Sequence, residues 1–167
     1  MRARLLSRLL LVGGAVTVLV ADQLSKLWVV ANLPEYTPVN VFPWLSSILS
    51  FTYVKNTGVA FGLFPQLGDF FTILSVLVIG GIVVFQRSLP VTDRWVHLSL
   101  GLLTGGALGN LLDRLLRGYV VDYLDVNFWP LHAWPVFNVA DSAILVGVTV
   151  LLVDSFFFNR QEIPADA

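Results

Sequence analysis

Apolar residues dominate four stretches of this chain, and each is long enough to cross a lipid bilayer as a helix, or nearly so. The stretches run over about 9–31, 70–86, 95–112 and 139–158. Roughly 20 apolar residues cross the hydrocarbon core as a helix, and the short second stretch is flanked by Asp69 and Gln86, which can lie in the interface. The pattern predicts an all-α polytopic membrane protein whose four transmembrane helices form a single domain over residues 1–167.

A different pattern occupies residues 32–68, between the first two predicted spans. Apolar and polar residues alternate from Phe51 to Lys55, as they do along a strand that is buried on one face. Residues 39–42 are a candidate partner strand. We therefore expect a small β-element outside the membrane. Three prolines also disfavour a helix in this segment: Pro34, Pro38 and Pro43.

Basic residues determine the predicted orientation of the spans, because cytoplasmic flanks are enriched in Lys and Arg. The arginine cluster before the first span favours a cytoplasmic N-terminus. Because four spans return the chain to its starting side, we also expect the C-terminus, with Arg160, to be cytoplasmic. The connection around residues 87–94 should lie on the same side. The first stretch has no convincing small-x-small cleavage site before Asp22, so we expect a retained helix rather than a cleaved signal peptide. The arginines before this stretch are Arg2, Arg4 and Arg8.

The overall composition narrows the class further. Of the 167 residues, 56% are hydrophobic and 13% are charged, whereas soluble domains carry about 25% charged residues. A net charge of −1 provides no general field to attract nucleic acid. The chain contains no cysteine and two histidines, which excludes a disulfide framework and a cysteine nucleophile and disfavours a metal site.

Most acidic residues fall at or beyond the outer ends of the predicted spans. Because a carboxylate at membrane level is costly, a group of carboxylates at one depth suggests a functional site. Glu35 and Asp69 fit ordinary solvated loop residues, but that explanation is weaker for the residues that lie within a turn of a span. The full set is Asp22, Glu35, Asp69, Asp113, Asp122, Asp125 and Asp141.

The second outer segment, residues 113–137, is rich in aromatic side chains. Such rings prefer the membrane–water interface, and an interfacial belt is the favoured interpretation. Asp122 lies in the apolar part of this segment. The aromatic residues are Tyr123, Phe128, Trp129 and Trp134.

Glycines recur every four residues along the third span, beginning at Gly101. This small-xxx-small spacing lets another helix approach closely, so we interpret it as packing. Beyond the glycines, Asn110, Asp113 and Arg114 are spaced i, i+3 and i+4 and share one helix face. Their spacing fits equally a polar helix end with a local ion pair and part of a functional site.

Four further residues have a structural interpretation. Asp22 and Lys26 have the favourable i, i+4 order for an ion pair, which we interpret as structural. Asn138 and Asp141 suit the N-terminal cap of the fourth helix.

Asp141 is also a candidate for aspartic proteolysis, which needs two carboxyl groups that share a proton. The loop before the fourth helix could fold back to join Asp122 to Asp141. The positive helix end favours an ionised Asp141, and apolar surroundings favour a protonated Asp122. This asymmetry favours Asp141 as the base and Asp122 as the proton donor, within a pair that titrates together.

Five sequence blocks occur in an order that resembles the bacterial lipoprotein signal peptidases, also called type II signal peptidases. Any one block is weak evidence, but five in order, together with four spans, cover nearly the whole chain. The blocks are DQLSK at 22–26, NTGVAFG at 56–62, GGALGNLLDR at 105–114, GYVVD at 118–122 and FNVADS at 137–142.

The resemblance implies a four-helix bundle with a small extracytoplasmic β-element in the bacterial cytoplasmic (inner) membrane. It implies cleavage of diacylglyceryl-modified prolipoproteins just before the lipidated cysteine, with Asp122 and Asp141 as the catalytic pair and no metal or organic cofactor. Membrane lipid and prolipoproteins are the implied partners, and nucleic acid is not. Supporting residues are implied at Asn56, Asn110, Asp113, Arg114 and Asn138, with Asp22 and Lys26 also in motif positions.

Two other classes of function are compatible with parts of the pattern. A small transporter or channel subunit would use the acidic cluster along an ion path, and it predicts charged residues at mid-span. The only acidic residue well inside a predicted span is Asp154, near the cytoplasmic end. A non-catalytic assembly protein would use its glycine face, and an Asp122→Asn variant would not change its activity.

Overall fold

The computed structural model describes residues 2–58, 68–89, 93–128, 130–131 and 134–158. These residues include four α-helices that are long and apolar enough to cross a membrane, as the hydropathy pattern predicts. A π-helical segment, Asp154–Phe158, extends the last helix. The helices are α1 (Arg2–Asn32), α2 (Gly68–Phe85), α3 (Arg94–Arg117) and α4 (Val139–Val153).

Helix α3 is the centre of the bundle, because it packs against each of the other three helices. In the most apolar stretch of α3, 67% of the residues are buried, compared with 6% in the most apolar stretch of α2. Most of the surface of α2 is therefore available to lipid, whereas α3 is available to carry buried polar groups.

Glycines let α3 approach two neighbours at once. A Cβ atom added at Gly105 would lie 2.6 Å from the carbonyl oxygen of Ala15 in α1, and Gly101 is in the same position one turn earlier. The predicted close approach of another helix is confirmed. Gly106, the next residue in the chain, lies against the backbone of Ala140 in α4.

A three-stranded antiparallel sheet lies at the end of the bundle where α1 and α3 finish. Its strands are β1 (Pro38–Val39), β2 (Leu49–Asn56) and β3 (Val120–Val126), in the order β1-β2-β3. The alternation at Phe51–Lys55 predicted β2 correctly, and the candidate partner segment contributes Val39 to β1. No alternating pattern had indicated β3, which pairs Asp122 with Val54 and Val120 with Asn56.

The inner face of this sheet is packed against the end of α1. Val29 of α1, Tyr53 of β2, and Val121 and Tyr123 of β3 form a buried cluster. Tyr123 is 3% exposed, so its assignment to an interfacial belt is wrong. Its ring lies on the face of β3 that covers α1 and is removed from the surface.

The other aromatic residues of that segment differ from Tyr123. Phe128 and Trp134 are exposed, as expected for an interfacial belt. Trp129 lies outside the described residues.

The predicted spans agree with the helices except near their ends. The third helix continues to Arg117 rather than ending near residue 112, because the polar residues after Asn110 have partners in neighbouring elements. It ends at Gly118, whose φ of 78° is left-handed and favours glycine. Motif residues 59–62, Arg160 and the terminal residues 161–167 lie outside the described residues, as do residues 90–92 of the predicted cytoplasmic connection.

Candidate active site

Asp122 is buried between the sheet and the helical bundle, among polar side chains that we call the polar layer. They are Asn56, Asn110, Asn138 and Asp141, together with Asp22, Lys26 and Asp113. The Asp122 side chain is on β3 and is 2% exposed. One carboxylate oxygen accepts a hydrogen bond from Asn56 Nδ2 at 2.8 Å, and the other accepts one from Asn138 Nδ2 at 2.7 Å. The backbone N–H of Gly58 donates to Asn56 Oδ1 at 3.0 Å, which turns the Asn56 amide nitrogen toward Asp122.

Asp141 approaches the same place from the first turn of α4. Asn138 caps this helix, since its Oδ1 accepts the Asp141 N–H at 2.9 Å, and Asp141 Oδ2 accepts the Asn138 N–H at 3.2 Å. The remaining carboxylate oxygen, Oδ1, accepts a hydrogen bond from Asn110 Nδ2 at 2.7 Å. The capping interpretation is therefore correct, and it is compatible with a second role, because Asn138 contacts both carboxylates.

The charge state of Asp122 follows from its surroundings. Burial raises the pKa of Asp122 to about 7, and the negative charge of Asp141 acts in the same direction, while the Asn56 and Asn138 amides oppose the rise. When one carboxyl group has a pKa raised in this way and a second carboxyl group lies beside it, the two can hold one proton between them near neutral pH. Such a pair can supply an acid and a base to the same reaction.

A second polar group, the Lys26 cluster, lies directly beside this pair. We define it as Asp22, Gln23, Lys26, Asp113 and Arg117. Lys26 is fully buried, and its ammonium group donates to Asp22 Oδ2 at 2.8 Å and to Asp113 Oδ2 at 2.9 Å, so the predicted ion pair of Asp22 with Lys26 is confirmed. It also donates to Oδ1 of Asn110 at 2.9 Å.

The cation that pairs with Asp113 from within α3 is Arg117. The polar end of this helix therefore has a local ion pair, and Arg117, one full turn after Asp113, forms it rather than Arg114. Arg114 instead donates to the Asn110 carbonyl at 3.4 Å, and its guanidinium lies 5.8 Å from the ring centre of Phe71.

Two cavities border Asp141 on different sides. The first, about 290 Å³, lies between α2, α3 and α4, and Arg114 and Asn110 form its polar wall. The second, about 420 Å³, is lined mainly by apolar side chains of α4 and of the segment that precedes it, including Trp134 and Phe137. A chain that passed from one cavity to the other would cross the carboxylate of Asp141.

Comparisons with known proteins agree on one family. Residues 14–157 match the family described as signal peptidase (SPase) II. The lipoprotein signal peptidase of Shewanella oneidensis is 40% identical over 151 residues, which is 88% of this chain and 86% of that protein. That of Psychromonas ingrahamii is 37% identical over 152 residues, with 89% and 85% covered. The chain belongs to the signal peptidase II family.

Solved structures agree with this assignment. Two structures of a bacterial membrane enzyme obtained by the in meso method superpose with TM-scores of 0.77 and 0.78 at 30% identity. They cover 94% and 91% of this chain, and 93% of each solved chain is matched. The protein is thus a membrane peptidase, and neither the transporter nor the assembly alternative is favoured.

Most of the residues that the sequence motifs indicated as catalytic or supporting lie together in the polar layer. Asn56, Asn110 and Asn138 contact Asp122 or Asp141 directly, while Asp22, Lys26 and Asp113 form the adjoining cluster. Glu35 pairs with Lys55 at the surface of the sheet, away from this layer. Within the described residues, no three His, Cys, Asp or Glu side chains are grouped as metal ligands.

Two contributors to this layer were missed by sequence reasoning. Gln23 donates to Asp22 at 3.1 Å and to Asp113 at 3.3 Å, and Arg117 bonds Asp113. The i, i+4 spacing of Asp113 and Arg117 was a readable signal for the second. Nothing in the local pattern around Gln23 indicated that its amide would be shared between two helices.

Proposed function

We propose that this peptidase is an aspartic endopeptidase whose catalytic pair is Asp122 and Asp141. The observation that supports the proposal is the shared Asn138 side chain, which donates to Asp122 and accepts from the backbone of Asp141. It holds the carboxyl group of Asp122 next to the first turn of α4, which carries Asp141, beside two cavities that could admit a peptide.

The proposed reaction divides the acid and base roles between the two carboxyl groups. Ionised Asp141 accepts a proton from water as the water oxygen bonds to the scissile carbonyl carbon, and protonated Asp122 gives its proton to the carbonyl oxygen. When the C–N bond breaks, Asp141 returns a proton to the leaving nitrogen and Asp122 recovers one from the gem-diol. The raised pKa of Asp122 supports its role as donor, and the position of Asp141 at a helix N-terminus favours its ionised form.

The proposed substrates are prolipoproteins that carry a diacylglyceryl group. Cleavage would remove the signal peptide just before the lipidated cysteine. The relatives named lipoprotein signal peptidase support this substrate class. The position of the pair also supports it, because Asp122 and Asp141 lie where membrane-spanning helices meet the sheet, the depth at which the scissile bond of a lipid-anchored chain would lie.

Purified protein and a diacylglyceryl-modified precursor provide the direct test of this function. We expect release of the signal peptide and a product whose new N-terminus is the modified cysteine, as measured by mass spectrometry. A precursor with serine in place of that cysteine, which cannot be lipidated, is the matched control and should remain intact. Equal cleavage of both precursors would contradict the lipid requirement, and no cleavage of either would contradict the substrate class.

Arg114 is proposed to bind a substrate carbonyl in the smaller cavity. No carboxylate within the described residues forms an ion pair with it, and it shares the cavity wall with Asp141. A guanidinium presents a planar fork of donors that an ammonium lacks. Arg114→Lys should therefore reduce cleavage although it keeps the charge, whereas full activity would indicate that Arg114 is an interfacial anchor.

We propose that the protein lies in the bacterial inner membrane, as its family suggests, with both termini in the cytoplasm, as the basic residues indicate. The sheet and the catalytic pair would then lie at the outer face. The chain has no cysteine, so single substitutions can be labelled without background. Ser47→Cys, beside the sheet, should react with an impermeant reagent added outside intact cells, whereas Ser88→Cys, after α2, should react only after permeabilisation. The reverse pattern would invert the topology.

A further inference from the structure

We propose that Lys26 is a positioning residue for the catalytic pair. Its contacts hold Asp122 and Asp141 at the separation that the reaction requires. The inference rests on the proposed function. It arises from the contacts of the Lys26 cluster, which reach the immediate chain neighbour of each catalytic aspartate.

Three routes of hydrogen bonds connect Lys26 to the catalytic pair, and the first two pass through the carboxylates with which Lys26 forms ion pairs. Asp22 Oδ1 accepts the backbone N–H of Ala140 at 3.0 Å, and Ala140 is the residue before Asp141. Asp113 Oδ2 accepts the backbone N–H of Val121 at 3.0 Å, and Val121 is the residue before Asp122. Lys26 bonds both carboxylates, so it couples the start of α4 to strand β3.

The third route passes through Asn110 and determines which end of its amide faces Asp141. Lys26 has donors and no acceptor, so the oxygen of the Asn110 amide must face it. That oxygen also accepts from Asn138 Nδ2 at 3.2 Å. The amide nitrogen is therefore directed at Asp141 Oδ1, at 2.7 Å. A reversed amide would place its oxygen against the carboxylate and repel it.

Charge alone does not explain this arrangement. Lys26 and Arg117 offset Asp22 and Asp113 within the cluster, so its formal charge is zero. The ammonium of Lys26 is one of the charges that lower the pKa of Asp122, so its position and its charge must be tested separately. The contacts of Lys26 predict that a neutral donor of similar length can replace it.

Two double variants with matched charge separate position from charge. Asp22→Asn with Lys26→Gln removes one charge of each sign and retains an amide donor at position 26. Asp22→Asn with Lys26→Met removes the same charges and has no donor. Asn at position 22 retains an oxygen for the Ala140 N–H, and Asp113 retains Arg117 and the Val121 N–H in both proteins.

Steady-state cleavage of a quenched fluorescent diacylglyceryl peptide is the measurement. We expect the Gln protein to keep kcat near that of the parent, and kcat of the Met protein to fall by about 10- to 100-fold, the size of effect that a misplaced catalytic group produces. KM should be equal in the two proteins, because neither change is in a cavity wall. Equal kcat values in two folded double variants would overturn the proposal.

Asn110→Ala provides a second test if the Met protein does not fold. Asn110 borders a cavity, so its truncation is expected to be tolerated. The proposal expects a fall in kcat like that of the Met protein, and an unchanged kcat would overturn it. These outcomes are distinct from failure of the aspartic mechanism, which would appear as cleavage by Asp122→Asn or Asp141→Asn.

Discussion

Two pairs of carboxylates lie side by side in this membrane protein, and their partners differ. Asp22 and Asp113 are bonded by the cations Lys26 and Arg117. Asp122 and Asp141 are bonded by three asparagine side chains and a backbone N–H. In the part of the chain that the structure describes, no Lys or Arg donates to the second pair.

This difference in partners separates a structural role from a chemical one. A buried carboxylate is costly unless an opposite charge compensates it. Cations compensate the first pair, which joins α1 to α3. Amides compensate the second pair only in part, so ionisation remains costly and a proton is retained near neutral pH, as the raised pKa of Asp122 indicates.

The largest expected effect follows from neutralising the second pair. Asp122→Asn and Asp141→Asn should each lower the cleavage rate by at least about 10²- to 10⁴-fold, the usual contribution of acid–base groups. Folding should be retained, because a neutral amide replaces a group that is costly to ionise. Rates of precursor cleavage and thermal unfolding in detergent would check both statements.

Asp125 provides the control on the same strand. Its carboxylate accepts a hydrogen bond from Thr52 at 2.6 Å and lies outside the polar layer, so Asp125→Asn should cleave at nearly the parent rate. If either Asp122→Asn or Asp141→Asn did the same, the catalytic assignment would be wrong, and Asp113 would be the next carboxylate to test.

Substitutions that break the ion pairs of the first pair should lower the stability of the protein before they lower its activity. Lys26→Met leaves two carboxylates without their shared cation, and Asp22→Ala leaves the ammonium without one partner. Each should lower the free energy of unfolding by about 3–5 kcal/mol, as when one partner of a buried ion pair is removed. Lys55→Met removes an ion pair with Glu35 at the sheet surface and should change the unfolding temperature little. Equal effects at Lys26 and Lys55 would mean that the buried ion pairs of Lys26 contribute no more to stability than a surface ion pair does.

A smaller effect is expected from crowding the first pair without changing its charge. A Cβ atom at Gly109 would lie 2.5 Å from Asp22 Oδ2, whereas one at Gly80 in α2 would meet no atom within 4 Å. Gly109→Ala should therefore cost about 1–3 kcal/mol of stability, the usual cost of overpacking. Gly80→Ala should be neutral or slightly stabilising, and chemical denaturation of both variants would show whether this order holds.

The smallest expected effect is a shift in the pH dependence of cleavage. Asp122 acts as donor in its protonated form, so the rate should fall as pH rises through its pKa of about 7. Asn56 stabilises the ionised form, and Asn56→Leu should raise the pKa of Asp122 further. The alkaline limb should then move to higher pH by up to about one unit, equivalent to one hydrogen bond. A shift toward lower pH would mean that another group sets this limb.

The sequence alone determined the membrane class, the four helices and the family. Runs of apolar residues predict helices in lipid because partition into the bilayer depends on local composition and on backbone hydrogen bonds made within each span. The family motifs nominated Asp122, Asp141 and the asparagines by position. The glycine spacing predicted the contact between α3 and a neighbouring helix, because residues four apart share a helix face.

Only the tertiary structure decided which side chains meet. The bond from the Ala140 N–H to Asp22 joins residues 118 apart in the chain, and no local pattern encodes it. Strand β3 and the burial of Tyr123 depend on β2 and α1 for their partners. The direction of a side chain is set by the surface that packs against it, and here that surface comes from elements far away in the chain.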